Sequence, residues 1–379
     1  MLPEFYRSHL ASRLKKSQLL TLEILVWLLQ VHKNVKIERL AAHFPLPIKY
    51  ESRRRHLQRF LALPDLSISM VWFPLIKQII QEYCPQNQPL YLALDRTQWK
   101  DQNLFMVAVI HQKRALPVYW QFLPKKGASN LMEQKAILKP VLKLLKSYQL
   151  IVLGDREFHG SELANWLQSK KVSFVLRQKK DRQIKEKGGA SQALNAFEFS
   201  PGQSHFFSKV EVGKKGFGKF NLAVKWKQKY RGKVEKEPWY LLTNLPDLSS
   251  TLKAYKKRMG IEAMFKDCQT GGDHLEGSSA SIRRLTNLVL LIAIAYTIST
   301  LKGKSLIRKG QKEYISRLRK VKQVMTKNSK FLLGLYGQVW IIAQRLVPDW
   351  VEKLMRLNRN KLPFYQRGLK AMELIQQGL

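Results

Sequence analysis

Two short apolar runs, each leading to an aspartate, most constrain how this chain can fold. Asp95 ends the run in LYLALDRTQW, and Asp155 ends the run in YQLIVLGDREFHG. Short apolar runs bounded by polar residues and glycine are typical of strands in a buried sheet. We therefore predict that both carboxylates lie at the ends of core strands, where such oxygen ligands bind hard divalent cations.

The charge of the chain indicates a polyanionic partner. Lysine and arginine total 67 against 27 aspartates and glutamates in 379 residues, which gives a formal net charge of +40. The basic residues are spread along the whole chain, and this favours an extended double-stranded nucleic-acid surface over a local targeting patch. A ribosomal or nucleoid protein could carry a similar charge, but it would usually be shorter and less aromatic. Apolar residues make up 45% of the chain, which is enough for a folded core.

The cysteines and the longest apolar stretch indicate a cytoplasmic protein without a membrane partner. Cys84 and Cys268 lie far apart and in no zinc-type spacing, so we expect reduced thiols. The N-terminal segment lacks the apolar centre of a signal peptide. The longest apolar stretch, residues 288–301, is shorter than a membrane-spanning helix, and we predict a buried core helix there.

The order of elements predicted in residues 86–178 indicates a mixed α/β sheet. Three strands come first, at PLYLALDRT, QNLFMVAVIH and ALPVYWQFL. An amphipathic helix, a fourth strand at QLIVLGD, a second helix and a fifth strand at VSFVLRQ follow. A three-stranded meander followed by alternating helices and strands is the order of a ribonuclease-H-like fold. In that order the first and fourth strands are neighbours, so Asp95 and Asp155 are expected to face each other.

Composition changes along the chain predict four regions. They are an all-α N-terminal domain, a core in two segments, a β-rich insertion and a helical basic C-terminal region, at residues 1–85, 86–178 with 239–305, 179–238, and 306–379. The insertion is rich in Lys, Gly and Gln and explains why 107 positions separate Asp155 from Glu262. Beyond it we predict long helical blocks, at residues 248–269, 284–302 and 307–345.

The N-terminal domain contains a helix, a short break and a basic helix, at KIERLAAHF, PLPIK and YESRRRHLQRFLAL. This order is typical of a helix-turn-helix DNA-binding motif. The basic helix carries the candidate DNA-binding residues Arg53, Arg54, Arg55 and Arg59. The alternative is a solvated basic face without a partner.

A third acid, Glu262, stands in a polar stripe within YKKRMGIEAMFKD. Tyr255, Arg258, Glu262 and Lys266 follow one another at spacings of three, four and four, so one continuous helix would present them on a single face. In that arrangement Arg258 and Lys266 would bind phosphates while Glu262 binds a metal ion. The alternative is a solvated helix face with an internal ion pair.

These segments together resemble the YREK signature group of bacterial DDE transposases, insertion-sequence family four. YKKRMGIEAMF is similar to the signature helix, and PWYLLTNLP is similar to the strand before it. LALDRTQW and LGDREFHG resemble the strands of the first and second aspartates. The resemblance extends over residues from about 88 to 300 and includes the β-rich insertion between the second and third acids.

The resemblance implies a ribonuclease-H-like catalytic core and a role for each acid. Asp95, Asp155 and Glu262 would be the catalytic ligands of two Mg²⁺ ions, for which Mn²⁺ would substitute. Tyr255 and Arg258 would contact phosphates at the transposon end.

The resemblance also implies further DNA contacts. Trp239 would stack against a flipped base, although without the resemblance a plain core position is an equal alternative. Arg156 of the DREF segment would be a DNA-binding residue. The signature expects Lys where this chain has Gln269, and Lys266, one helical turn after Glu262, is a candidate for the missing charge.

The resulting hypothesis is a cut-and-paste DNA transposase of the bacterial cytoplasm, associated with the nucleoid. It would bind terminal inverted repeats, cleave the transposon ends, pass through a hairpin and join the 3′-OH ends to target DNA, as a homodimer in the synaptic complex. Two alternatives stay open. One is a catalytically inactive, transposase-derived DNA-binding protein, and the other is a structure-specific nuclease on the same fold.

Overall fold

The computed structural model describes residues 2–99, 101–186, 188–213, 218–228, 235–270, 275, 280–320, 324–357 and 359–377. The chain divides into two compact units. Ile76–Met264 forms a sheet unit, and Met1–Leu75 together with Phe265–Leu379 forms a helical unit. Because this division follows contacts and not function, the four regions predicted from the sequence stay a prediction.

The sheet unit is built around one ten-stranded mixed sheet. Its strands are β1 (Leu90–Trp99), β2 (Gln102–His111), β3 (Arg114–Phe122), β4 (Leu150–Gly154), β5 (Ser173–Arg177), β6 (Gln183–Lys185), β7 (Ser191–Ala193), β8 (Ser204–Val212), β9 (Lys219–Lys225) and β10 (Trp239–Thr243). Every residue of β4 and of β10 is buried. Strands with no exposed side chain must be covered on both faces, and helices α6 (Leu131–Leu144), α7 (Ser161–Ser169) and α8 (Leu248–Lys257) pack on the sheet.

The strand order places β1 next to β4, as predicted. The order is β3-β2-β1-β4-β5-β10-β9-β8-β6-β7. β1 pairs antiparallel with β2 and parallel with β4, and β4 pairs parallel with β5. A mixed sheet of this order is consistent with the predicted ribonuclease-H-like core.

The β-rich segment between the second and third acids does not form a sheet of its own. β9 pairs with β10, which in turn pairs with β5, so the strands from β6 to β9 extend the main sheet. The sequence predicted strands here but not their continuity with the core, because alternation within a strand does not reveal which edge it joins.

The helical unit contains most of the helices. They are α1 (Glu4–Ala11), α2 (Lys16–His32), α3 (Ile37–His43), α4 (Tyr50–Phe60), the start of α5 (Phe73–Tyr83), the end of α9 (Met259–Thr270), α10 (Ile282–Arg308), α11 (Lys312–Ile315), α12 (Lys330–Leu346), α13 (Pro348–Leu357) and α14 (Leu362–Gln377). α10 packs on α2 and α12 and forms the centre of the core. By length and composition α10 could cross a membrane, but 89% of its apolar window is buried within the protein, as the prediction of a core helix requires.

Two glycines allow α10 and α12 to approach closely. A Cβ atom on Gly303 would lie 1.7 Å from the carbonyl oxygen of Lys330, and one on Gly334 would lie 1.9 Å from the carbonyl oxygen of Ser299. No side chain fits at either position, so the two helix backbones are in direct contact.

The long helix predicted over residues 307–345 is wrong. α10 ends at Arg308, and a short antiparallel pair, β11 (Leu318–Lys320) with β12 (Val324–Thr326), separates α11 from α12. Gly310 adopts φ +72°, and the amide of Gln311 donates to the carbonyl of Leu306. This left-handed glycine ends the helix, because residues with a side chain rarely adopt that conformation.

A buried polar chain runs through the core of the helical unit. Nζ of Lys302 donates to Oε1 of Gln338 at 3.2 Å, and Nε2 of Gln338 donates to Oε1 of Gln30 at 3.0 Å. Nε2 of Gln30 donates to Oγ of Ser299 at 3.0 Å. Burial lowers the pKa of Lys302 to about 8, so this lysine opposes folding wherever it is charged.

Replacing Lys302 by Met should remove a rise in stability with pH. Burial lowers the folded-state pKa of Lys302 from 10.5 to about 8, so above pH 8 the folded protein loses this proton before the unfolded chain does. The wild type should therefore gain about 2 to 3 kcal/mol in free energy of unfolding between pH 7 and pH 10, relative to Lys302→Met. Denaturant unfolding of both proteins at the two pH values measures this difference. Lys370→Met, at an exposed position of α14, should show no such change, and an equal change in both variants would contradict the assignment.

Candidate active site

The parallel pairing of β1 and β4 brings two aspartates to the same edge. The last paired residues are Ala93 and Leu153, and Asp95 and Asp155 each lie two positions further along. Asp155 directly follows β4, as predicted. Asp95 does not end its strand, because β1 continues to Trp99 and pairs there with β2, with Asp95 opposite Met106.

Each aspartate side chain accepts a hydrogen bond from a backbone amide one or two residues further along the chain. Oδ1 of Asp95 accepts a hydrogen bond from the amide of Arg96 at 2.8 Å. Asp155 caps a single 3-10 turn, and its Oδ1 accepts from the amide of Glu157 at 2.9 Å. A carboxylate that accepts a backbone amide is fixed in orientation, while its other oxygen stays available.

The helix predicted over residues 248–269 is two helices. α8 ends at Lys257 and α9 begins at Met259, with Arg258 at the joint. The amide of Arg258 bonds to the carbonyl of Tyr255, and the amide of Ile261 bonds to the carbonyl of Arg258, both at 3.0 Å. These bonds span three residues instead of four, which tightens the turn at Arg258.

Gly260 lets α9 begin close to the β2–β3 hairpin. A Cβ atom there would lie 3.2 Å from Cδ1 of Ile110 and 3.3 Å from the carbonyl carbon of Arg114. The close approach positions the first turn of α9, which carries Glu262.

The guanidinium of Arg258 lies among the three acids. Nη2 of Arg258 is hydrogen-bonded to Oε1 of Glu262, and Nη1 lies 3.9 Å from Oδ2 of Asp95. Burial opposes the charge of Arg258, but Tyr255, Glu262, Asp95 and Asp155 together raise its pKa. The structure therefore brings together the three acids and the arginine that the sequence singled out.

The surroundings of Asp95 perturb the pKa of its carboxyl group. Its pKa is raised from 3.8 to about 6, chiefly by burial and in smaller part by Asp155 and Glu262, while Arg258 and the Arg96 amide oppose the shift. A carboxyl group flanked by other carboxylates in a buried position favours a cation nearby.

The three acids match a hard divalent cation in the chemistry of their donor atoms. Three carboxylates supply oxygen ligands of the type that Mg²⁺ prefers, and the side chain of Glu262 is 43% exposed. In the part of the chain that the structure describes, no three His, Cys, Asp or Glu side chains are grouped as a metal cage. Arg258 supplies the positive charge that a metal ion would bring.

Sequence comparison identifies the family of the chain. Residues 102–298 match the transposase DDE domain, just over half of the 379 residues. This chain belongs to the DDE transposase family. The match contains Asp155 and Glu262 and begins after Asp95.

Comparison with other proteins adds partial similarities. Curated proteins give no significant match. The cryo-EM structure of the piggyBac transposase synaptic complex with hairpin DNA matches with 14% identity and a TM-score of 0.38, over 76% of this chain and 59% of that one. The Marinitoga piezophila Argonaute complex with 5′ OH guide RNA and target DNA matches with 9% identity and a TM-score of 0.26, over 53% of this chain and 32% of that one. The transposase thus spans less than two thirds of the length of either structure.

Trp239 of the transposase is a core residue in this structure. It is 9% exposed and lies in an apolar cluster with Tyr255, Ile151 and Leu241. The indole ring of Trp239 meets the ring of Tyr255 edge-on, with 5.0 Å between the centroids. Nζ of Lys227 lies 4.4 Å from the centroid of the Trp239 ring.

Arg156 and Arg177 form a second arginine pair near the acids. The sequence predicted a role for Arg156 but not for Arg177. Arg156 and Arg177 both donate to Oε1 of Glu237, at 2.5 and 3.3 Å. Burial raises the pKa of Tyr255, and the charge of Arg177 opposes this shift. Nε of Arg177 is buried without a hydrogen-bond partner. The position of Arg177 at the end of β5, the strand next to β4, is the signal that could have found it.

The other candidate DNA-binding residues lie elsewhere in the transposase. Lys266 lies one turn beyond Glu262 in α9 and is exposed, as is Gln269. In α4, Arg53 donates to the carbonyls of Ala41 and Ile48, so it holds the turn between α3 and α4.

The remaining arginines of α4 differ in their ion pairs and in their exposure. Arg54 is bonded to both oxygens of Glu51, and Arg55 lies 3.6 Å from Glu51 with its side chain 71% exposed. Arg59 is exposed, and no ion pair links it to any other described residue.

Replacing Asp95 by Asn should stabilise the metal-free transposase at neutral pH. The pKa of Asp95 is raised from 3.8 to about 6, so its stabilising protonated form is lost as the pH rises through 6. Relative to wild type, Asp95→Asn should gain about 2 kcal/mol in free energy of unfolding between pH 4 and pH 7. Urea unfolding in EDTA measures it. Asp101→Asn, whose side chain is 82% exposed, is the control, and an equal gain there would contradict the burial of Asp95.

Proposed function

We propose that this DDE transposase is a cut-and-paste DNA transposase that binds terminal inverted repeats, cleaves the transposon ends and joins their 3′-OH ends to target DNA. The convergence of Asp95, Asp155 and Glu262 around Arg258 carries this proposal. The net charge of +40 supports a DNA partner, and the resemblance to the YREK group supports the hairpin step.

The three acids are the proposed catalytic residues. Two Mg²⁺ ions, or Mn²⁺ in their place, would activate the attacking oxygen and neutralise the leaving oxygen of each phosphodiester. Asp95 must be ionised to bind a cation, and a pKa of about 6 leaves it mostly ionised at neutral pH. Glu262, whose side chain is 43% exposed against 18% for Asp95, can change partner from Arg258 to a cation without a large rearrangement.

The arginines around the acids are proposed to bind the DNA backbone. Arg156 and Arg177 now share a single oxygen, Oε1 of Glu237, and a phosphate would offer each arginine an oxygen of its own. Arg258, released from the acids when cations bind, would turn to a phosphate, with Tyr255 beside it. Lys266 would add a further phosphate contact in the place of the signature lysine.

Trp239 is proposed to stack against an unpaired base at the cleavage site. Its ring is covered in this structure, with Lys227 over one face. Stacking therefore requires Lys227 to leave the ring, which a nearby DNA phosphate would favour by binding its ammonium group.

End recognition is assigned to the helix-turn-helix formed by α3 and α4. Arg55 and Arg59 are exposed on α4 and can reach the DNA backbone, whereas Arg53 is engaged with the turn. We propose that the four predicted regions are the functional divisions of the protein. We also propose that it acts in the bacterial cytoplasm.

A homodimer is proposed for the synaptic complex, and the C-terminal helices offer a surface for it. α13 has no buried residue, and large apolar side chains of α13 and α14 are exposed, among them Trp350, Leu354, Leu357 and Phe364. Exposed apolar surface of this extent is typical of an interaction site.

Cleavage of an end substrate tests the enzymatic function. Purified protein should cut a labelled duplex carrying the inverted repeat that flanks its gene, in the presence of Mg²⁺, and Asp155→Ala should reduce the rate about a hundredfold or more because a metal ligand is lost. A denaturing gel resolves nicked, hairpin and joined products.

The control for cleavage is Asp101→Ala, which removes an exposed carboxylate near β1 and should cut like wild type. Binding without cleavage, equal in wild type and Asp155→Ala, would indicate an inactive DNA-binding protein. Cleavage without joined products would indicate a nuclease.

Substitutions in α4 test end recognition. Arg55→Ala and Arg59→Ala should each weaken binding to end DNA and reduce the slope of log K against log salt by about one. Fluorescence anisotropy at several salt concentrations measures the slope. Arg53→Ala should instead lower the melting temperature, because its hydrogen bonds hold the turn. Unchanged slopes for Arg55 and Arg59 variants would assign the basic face to solvent.

A further inference from the structure

An ion pair connects the two strand ends that carry the aspartates. Arg96 directly follows Asp95, and Glu157 lies two positions after Asp155. Nε of Arg96 donates to both carboxylate oxygens of Glu157, at 3.1 and 2.8 Å. The two side chains are only 17% and 14% exposed, so solvent screens the pair weakly.

Glu157 is also fixed from the opposite side. Its Oε1 accepts hydrogen bonds from the amide and the hydroxyl of Ser129, at 2.9 and 2.8 Å. Ser129 immediately precedes Asn130, the N-cap of α6. The carboxylate of Glu157 therefore ties the turn after β4 to the start of α6.

Arg96 is fixed by a second set of contacts. Its Nη1 donates to Oε1 of Gln98 at 3.2 Å and to Oδ1 of Asn103 at 3.0 Å. Asn103 is fully buried, and its amide nitrogen donates to the carbonyls of Lys125 and Gly127 at 2.8 and 3.0 Å. Arg96 thus has its position set by β1, by the start of β2 and by the loop after β3.

The same two residues hold the catalytic carboxylates through their backbone. The amide of Arg96 donates to Asp95, and the amide of Glu157 donates to Asp155. A movement of either member of the pair would move the donor that orients one aspartate. The ion pair therefore couples the orientation of one carboxylate to that of the other.

We propose that Arg96 and Glu157 are positioning residues, whose ion pair sets the separation and orientation of the carboxylates of Asp95 and Asp155. The inference rests on the proposed function, because it requires both aspartates to bind the catalytic ions. Two ions about 3.5–4 Å apart demand ligands at a narrow range of separations. Neither Arg96 nor Glu157 needs to touch DNA or the reacting atoms for this role.

The test compares Glu157→Gln and Glu157→Asp with wild type in the full chain. Gln removes the charge and keeps the shape, while Asp keeps the charge and withdraws it by one methylene. For cleavage of end DNA, kcat should fall about 10- to 100-fold while KM changes by less than about twofold, since DNA contacts are untouched. Mn²⁺ affinity of the protein–DNA complex, measured by electron paramagnetic resonance, should weaken about tenfold.

Glu23→Gln is the matched control. Glu23 is 10% exposed in its side chain and accepts from Nε and Nη2 of Arg7 at 2.9 and 3.1 Å. A purely structural ion pair should behave like this control, with a lower melting temperature and unchanged kcat and Mn²⁺ affinity.

The outcomes separate the two proposals. If wild type cleaves and both Glu157 variants retain its kcat and Mn²⁺ affinity, the pair is structural only and the positioning role is overturned. If wild type does not cleave, the proposed function fails, and the Mn²⁺ measurement alone decides whether the pair positions the acids. Should Glu157→Gln not fold, Glu157→Asp with a normal melting temperature and reduced kcat still supports positioning.

Discussion

The parallel pairing of β1 with β4 is the constraint on which the rest of the sheet unit depends. The pairing stops at Ala93 and Leu153. Beyond these residues β1 is paired, among the described strands, only with β2, and β4 only with β5. Both aspartates lie just past this point, after strand residues that are buried except for the partly buried Tyr91. Glu262 reaches them only because α8 and α9 meet at a tight turn that also carries Arg258. The site is therefore a product of strand register and one helix joint.

Charge balance explains why the acids tolerate their surroundings. Three carboxylates close together repel one another, and burial adds to the cost at Asp95. Arg258 offsets this repulsion, and its own buried position is stabilised by the acids and by Tyr255. The arrangement also restricts what can replace Arg258, because only another cation would offset the repulsion among the acids. Opposite charge likewise holds Arg156 and Arg177 together, because both pair with Glu237.

Local pattern was enough to predict the strands around both aspartates, the neighbouring positions of β1 and β4, and the helical character of both ends of the chain. It was not enough where a long-range contact decides the outcome. The stripe from Tyr255 to Lys266 indicated one helix, but the approach of Gly260 to the hairpin of β2 and β3 accompanies a break at Arg258. The pairing of Arg96 with Glu157 joins residues 61 positions apart, and that of Arg177 with Glu237 joins residues 60 positions apart. No spacing rule relates such residues before the sheet order is known, so their roles could not be predicted from the sequence.

The division of the chain has a consequence for how the protein is made. The sheet unit is one continuous stretch, so its whole core is available once residue 264 has been synthesised. The helical unit is interrupted by that stretch, and its buried chain joins Gln30 to Ser299 and Gln338, at separations of 269 and 308 positions. The first helices must therefore wait, with their apolar faces uncovered, until α10 and α12 leave the ribosome. A nascent chain of this protein completes its acidic centre well before it completes the helical core that contains its basic N-terminal helices.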